Sequence, residues 1–193
     1  MSDTALLQKS PILETRRLIL RSFREDDAET VVSILRSPLC AETYLLPDYP
    51  TPKDALPLWN RLRDLSADPD RFVYAVALKT EEGDRLLGFL NEQTREGGVV
   101  EIGYVLHPDF WNRGYMTEAV GAVVGELFRM GASAVRAGHF EENVSSRRVM
   151  EKNHMEPIPQ TEELDYRGRV HRVLYREITR EAFLTRKEED RRG

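Results

Sequence analysis

The residues best suited to chemistry lie in two runs: Glu-Ile-Gly-Tyr-Val-Leu-His-Pro from Glu101 to Pro108, and Phe-Trp-Asn-Arg-Gly-Tyr-Met-Thr-Glu-Ala from Phe110 to Ala119. A strand pattern stops at a proline, a short loop carries one glycine, and an amphipathic helix opens at once. Such a helix start presents backbone N–H groups without intrahelical partners and the positive end of the macrodipole. That combination suits a pyrophosphate. Gly114 lets the backbone approach such a group with no side chain in the way. The same residues also fit an ordinary strand-to-helix turn capped by Thr117, and one glycine does not separate the two readings. The loop is neither Gly-Lys-Ser/Thr nor Gly-x-Gly-x-x-Gly, so triphosphate hydrolysis and dinucleotide binding gain no support.

Other chemistries fare worse. His107, His139, His154 and His171 show no i, i+3 or i+4 pairing, and with one cysteine a metal site is not expected. Cys40 sits in an expected loop with no histidine fixed beside it, which reads as inert. No Gly-x-Ser-x-Gly elbow is present.

The elements that must position Glu101 to Ala119 alternate between strand and helix patterns. Leu18 to Arg21 reads as a strand, and Asp26 or Asp27 can cap a helix ending before Pro38. Leu39 to Pro52 holds three prolines and reads as a loop, with a helix following from about Lys53 to Leu65. Phe72–Leu78, Leu86–Asn91 and Val99–Leu106 read as strands. The next helix, from about Gly114 to Met130, carries Ala119, Val120, Val123, Val124, Leu127 and Phe128 on one face and stops at Gly131. Val135–Phe140 is a strand, Asn143 caps a helix to about Asn153, and Leu164–Tyr166 and Val170–Ile178 flank an Arg167-Gly168 turn. The fold class is therefore mixed α/β: a mostly antiparallel twisted sheet of about six to seven strands with one β-α-β crossover and flanking helices.

Length and composition bound the rest. A chain of 193 residues fits a single domain, with its core over about 12–183 and a flexible charged tail over 185–193. It is 40% apolar and 32% charged, which is ordinary for a globular protein. There are 28 basic against 33 acidic residues, a net charge of −5, so no nucleic-acid partner is indicated and cationic partners are favoured. No apolar run is long enough to span a membrane, no signal peptide is visible, and a lone cysteine suits a cytoplasmic location.

Three segments together resemble the GCN5-related N-acetyltransferases, in the branch that includes ribosomal-protein alanine acetyltransferases. They are Leu13 to Arg21, Glu101 to Ala119, and Asn143 to Asn153 with its Asn-x-x-Ser start, and the likeness spans about Ile12 to Phe183. The resemblance implies acetyl-CoA as cosubstrate, bound in a wedge where two strands part. Val105, Leu106 and His107 would run beside the pantetheine arm. Backbone N–H groups of Asn112, Arg113, Gly114, Tyr115, Met116 and Thr117 would hold the pyrophosphate, and Asn143 would bond the pantetheine end.

The implied reaction is direct attack by a primary amine, either a protein N-terminus or a small cationic amine, in a ternary complex. Glu101 is the candidate base, or else it orients a neighbouring group; Glu92 and His139 are alternatives. Many relatives carry a tyrosine where Met150 stands, which leaves Ser146 as the candidate acid, or as a helix-interior serine bonded to a carbonyl. The family's Gln or Arg is Trp111 here, and its Gly or Ala is Met116. These departures keep a second expectation open, an acyl-CoA sensor or interaction module that has lost turnover. The chain is expected to be a monomer or homodimer.

Overall fold

Alternating apolar residues build the strands, and the computed structural model describes residues 6–192. Residues 1–5 and Gly193, the ends of the expected domain and tail, lie outside the described residues. The strands are β1 (Leu13–Glu14), β2 (Leu18–Arg21), β3 (Val73–Thr80), β4 (Gly83–Glu96), β5 (Val99–Leu106), β6 (Ala134–Phe140), β7 (Glu156–Tyr166) and β8 (Arg169–Thr179). They form one sheet in the order β1-β2-β3-β4-β5-β6-β8-β7. Every neighbouring pair is antiparallel except β5 and β6, which run parallel.

The helices are α1 (Ala28–Leu35), α2 (Pro38–Ala41), α3 (Pro52–Ala67), α4 (Tyr115–Met130), α5 (Val144–Lys152) and α6 (Arg180–Arg192). The period of two along β5 assigns them to faces. Val100, Ile102 and Leu106 pack in one apolar cluster with Ala119, Val120, Val123 and Val124 of α4. Val105 joins a second cluster with Val31 and Ile34 of α1 and Trp59 and Leu62 of α3. The sheet thus separates α4 from α1 and α3.

One local feature positions the site. β5 and β6 pair only through Val99–Ala134, Val100–Val135 and Glu101–Arg136. Beyond Glu101, β5 stays on β4 as far as Leu106, while β6 stays on β8 as far as Phe140. The two strands part and leave a wedge.

The structure departs from the sequence reading in five places, the simplest being β4, which runs past the expected Leu86–Asn91 at both ends. β1, two residues long, is the eighth strand, too short to carry a period. β7 starts at Glu156 rather than Leu164, because Pro157 and Pro159 are tolerated on an edge strand; its register breaks between Pro157 and Thr161. The expected 39–52 loop begins inside α2, whose cap is Ser37 Oγ, accepting from the Cys40 N–H at 3.3 Å. The segment expected as a flexible tail from Thr185 is instead helical to Arg192. Its Arg, Lys and Glu residues are good helix formers, and the helix is anchored by Phe183 against Phe128, with ring centroids 5.0 Å apart.

Candidate functional site

The wedge opens into a cavity of about 420 Å³ between β5, the start of α4 and the start of α5. Of the residues expected there, Val105, Leu106, Asn112, Gly114, Tyr115, Met116, Thr117, Asn143 and Ser146 line it. His107 and Arg113 do not. The His107 N–H is bonded to the Leu87 carbonyl at 2.8 Å, and its ring Nε2 lies 3.4 Å from Ser33 Oγ. The Arg113 guanidinium lies over the Phe110 ring at 5.9 Å.

Two left-handed residues shape the turn into α4: Asn112 at φ 59° and Gly114 at φ 76°, the latter serving as N-cap. Asparagine and glycine are the residues that tolerate this backbone. The helix ladder begins with the Glu118 N–H on the Gly114 carbonyl at 3.1 Å, so the amides of Tyr115, Met116 and Thr117 precede it. Thr117 is not the cap. Arg148 and Lys152 of α5 add positive charge to the same cavity wall. These groups, with an open wedge beside them, fit the diphosphate and pantetheine of an acyl-CoA.

Trp111 explains one departure from the family pattern. Its indole Nε1–H donates to the Leu106 carbonyl at 2.9 Å, an acceptor it shares with the Cys40 thiol at 3.5 Å, and so fixes the end of β5. The other departure, Met116, is buried among the core side chains of α4.

A second cavity of about 220 Å³ holds Glu101, with Tyr44, Gln93, His139, Glu162 and Tyr175 among its walls. Burial raises the Glu101 pKa above its usual value, against the pull of the Arg136 charge and a 3.5 Å hydrogen bond from Thr94 Oγ1. His139 is buried, its Nδ1 is 2.7 Å from the Phe140 carbonyl, and burial lowers its pKa. Glu92 is absent from these walls; it is engaged by Arg95 and, at 3.6 Å, by Arg71. Gly103 lies opposite Asn91, beside a register shift in β4, and a Cβ there would come 2.3 Å from Gln93 Nε2.

Ser146 lines both cavities, as do Tyr104 and Thr43. Its N–H is held by Asn143 Oδ1 at 3.0 Å, the capping bond of α5. Its hydroxyl is 2.9 Å from Tyr104 Oη. Sequence reasoning missed Tyr104, Glu162 and Tyr175, whose phenol donates to Glu162 Oε2 at 2.8 Å. For Tyr104 the available signal was its place on the same strand face as Ile102 and Leu106, aimed toward α4 and α5. For Glu162 there was none, because its strand lacks an apolar period.

Among the described residues, no three His, Cys, Asp or Glu side chains gather to hold a metal ion, and no helix is long and apolar enough to cross a membrane.

Comparison with known proteins agrees with this geometry. Residues 17–156 match the family model for the acetyltransferase (GNAT) domain. The chain is 29% identical over 144 residues to the uncharacterized N-acetyltransferase YoaA of Bacillus subtilis, covering 74% of this chain and 81% of that protein. A GNAT-family acetyltransferase from Bacillus anthracis superposes with a TM-score of 0.75 at 24% identity, over 88% of this chain and 99% of that one. RimL, a ribosomal L7/L12 alpha-N-protein acetyltransferase in complex with coenzyme A, gives 0.73 at 18% identity, over 89% and 99%. The chain belongs to the GNAT acetyltransferase family. It is an acetyl-CoA-dependent acetyltransferase.

Proposed function

We propose that the protein acetylates a primary amine, either a protein N-terminus or a small cationic amine, by direct attack on the thioester of acetyl-CoA. The observation that carries this reading is the meeting of two cavities at Tyr104, Ser146 and Thr43, one suited to an acyl-CoA and the other holding Glu101. A bound acetyl-CoA supplies the activated acyl carbonyl. Val105 and Leu106 line its path, the turn from Asn112 to Thr117 offers amides to the diphosphate, and Asn143, whose amide nitrogen donates to the Thr43 carbonyl at 3.4 Å, has a second amide hydrogen to give the pantetheine end.

In the acceptor cavity, Glu101 and Glu162 attract an ammonium, and Tyr44 and Tyr175 stand in the same walls. Glu101 takes the proton that makes the amine nucleophilic. A raised carboxylate pKa brings a base closer to the working pH, where proton transfer is most effective. Ser146 stands at the leaving-group side. The similarity to RimL supports a peptide N-terminus as acceptor, and the net charge of −5 supports a cationic one. The same reading takes the protein to be cytoplasmic, a location that a single cysteine, Cys40, suits.

The test is coenzyme A release from acetyl-CoA with alanine- and serine-initiated peptides and with putrescine, followed by mass spectrometry of the acceptor. One acetyl group added to an amine is expected. Coenzyme A release that no amine raises above hydrolysis contradicts the proposal.

A further inference from the structure

Tyr104 Oη and Ser146 Oγ are 2.9 Å apart, and both residues line both cavities. Ser146 is the third residue of α5, so no helical turn precedes it, and its hydroxyl pairs with Tyr104, from a strand 42 residues away in sequence; Tyr104 Oη also lies 3.3 Å from the Ser146 carbonyl. The Asn143 cap fixes the Ser146 backbone, and the Tyr104 ring packs against the apolar cluster to which α4 and Met150 of α5 contribute. The result is a wall of two hydroxyls between the place where an amine would stand and the place where a thiol would leave.

We infer that the Tyr104–Ser146 pair is a proton relay that carries the proton lost by the attacking nitrogen through this wall to the departing sulfur. The inference rests on the acetyl-transfer reading above and adds to it a residue and a path. The C–N bond forms and the C–S bond breaks, with its electron pair leaving on sulfur. Nitrogen gives its proton to Tyr104 Oη, Tyr104 passes its own to Ser146 Oγ, and Ser146 passes its own to sulfur. Both hydroxyls finish as they began, and no proton is exchanged with solvent in this step. Glu101 handles a different proton, the one that converts an ammonium into an amine beforehand.

The chemistry of the pair suits this task. Burial pushes the Tyr104 phenol up, partly offset by its bond to Ser146, so it remains a neutral hydroxyl able to accept and donate at once. The relay also answers the position of Met150, which is fully buried and offers no acid from the middle of α5.

The test uses the full-length protein with acetyl-CoA and hydroxylamine, a nucleophile that is neutral at physiological pH and needs no prior deprotonation. Acetohydroxamate formation is measured for wild type, Tyr104→Phe, Ser146→Ala and the double variant, with thermal unfolding plus and minus acetyl-CoA run alongside. Each single variant is expected to lose about ten- to a hundredfold in catalysed rate while keeping its acetyl-CoA-induced shift. The double variant is expected to lose no more than the worse single, because a relay fails as a unit. The wild-type solvent isotope effect should depend nonlinearly on deuterium fraction, and that curvature should vanish in Tyr104→Phe. Undiminished rates in both single variants would overturn the relay and leave acetyl transfer standing. Fully additive losses, or loss of the acetyl-CoA shift in the variants, would overturn it too, by making the hydroxyls independent or merely structural. No wild-type turnover with hydroxylamine, putrescine or an alanine-initiated peptide would overturn the acetyl-transfer reading and the relay together.

Discussion

Arg17 and Glu118 lie 101 residues apart in the chain and meet at 2.7 Å, Nε to Oε2, across the first turn of α4. The Glu118 carboxylate also accepts the Arg17 N–H at 2.8 Å and the Thr15 hydroxyl at 2.6 Å. Burial works against its charge, but these bonds prevail and hold its pKa below the usual value. Arg17 then reaches on, donating from Nη1 to the Arg113 carbonyl at 3.0 Å and stacking over Tyr115 at 4.6 Å. The β1–β2 turn therefore staples the loop that precedes the amides of α4.

Cutting that staple should loosen the cosubstrate site without touching the acceptor side. Arg17→Ala and Glu118→Gln are each expected to raise KM for acetyl-CoA about tenfold, equivalent to ~1.4 kcal/mol. The KM for the amine should stay within about twofold, and Arg17→Lys should restore only part of the loss because it lacks the planar fork. Steady-state kinetics with each substrate varied in turn checks this.

Glu101 must be ionised to act as a base. Since burial raises its pKa, the acid limb of kcat is expected above the usual carboxylate range, with activity falling as pH drops through that raised value. Glu101→Gln should lower kcat with an alkylammonium acceptor by roughly 100-fold and abolish that limb. A pH–rate profile of both proteins decides it.

Stability in acid should depend on a buried ion cluster away from the site. Arg21 reaches Asp84 at 2.5 Å and Asp27 at 2.7 Å, with all three side chains nearly inaccessible. The hydrogen bond from Arg21 lowers the Asp84 pKa below its unfolded value. That contribution is fully present above about pH 4 and is lost as pH falls through the lower, folded value. Asp84→Asn is expected to cost ~3 kcal/mol at neutral pH, since it leaves Arg21 under-compensated, and to flatten the acid decline. Urea titrations from neutral to acid pH read both effects.

Avoidable backbone strain sits just beyond α5. His154 follows α5 at φ 60°, a left-handed backbone that a side chain resists. His154→Gly should therefore stabilise the protein by about 1 kcal/mol, after the greater chain freedom that glycine gains on unfolding is set against the relief. The expected rise in Tm is roughly 2–4 °C by calorimetry.

What could be read from the sequence was local. The single apolar face of α4, its Gly131 stop at φ 115° and the Asn143 cap of α5 are each encoded within a few neighbouring residues. The turn into α4 shared that advantage, since Asn112 and Gly114 stand next to the helix they introduce. The contacts that complete the site were hidden because they join distant segments: Tyr104 to Ser146, Arg17 to Glu118, Tyr175 to Glu162. Trp111 departs from the family pattern, and its indole bond to the Leu106 carbonyl could not be read from the sequence. His107, by contrast, sat in the right stretch of sequence but has its amide spent on Leu87.

The most direct measurement is thermal unfolding of the purified protein with acetyl-CoA, coenzyme A and ATP in parallel. If the wedge between β5 and β6 is the cosubstrate site, acetyl-CoA at 100 times its dissociation constant adds ~2.7 kcal/mol of stability. Coenzyme A should do nearly the same, ATP should do far less, and Arg17→Ala should shrink the first two shifts. An equal shift with ATP, or no shift with acetyl-CoA, would contradict the assignment of that groove.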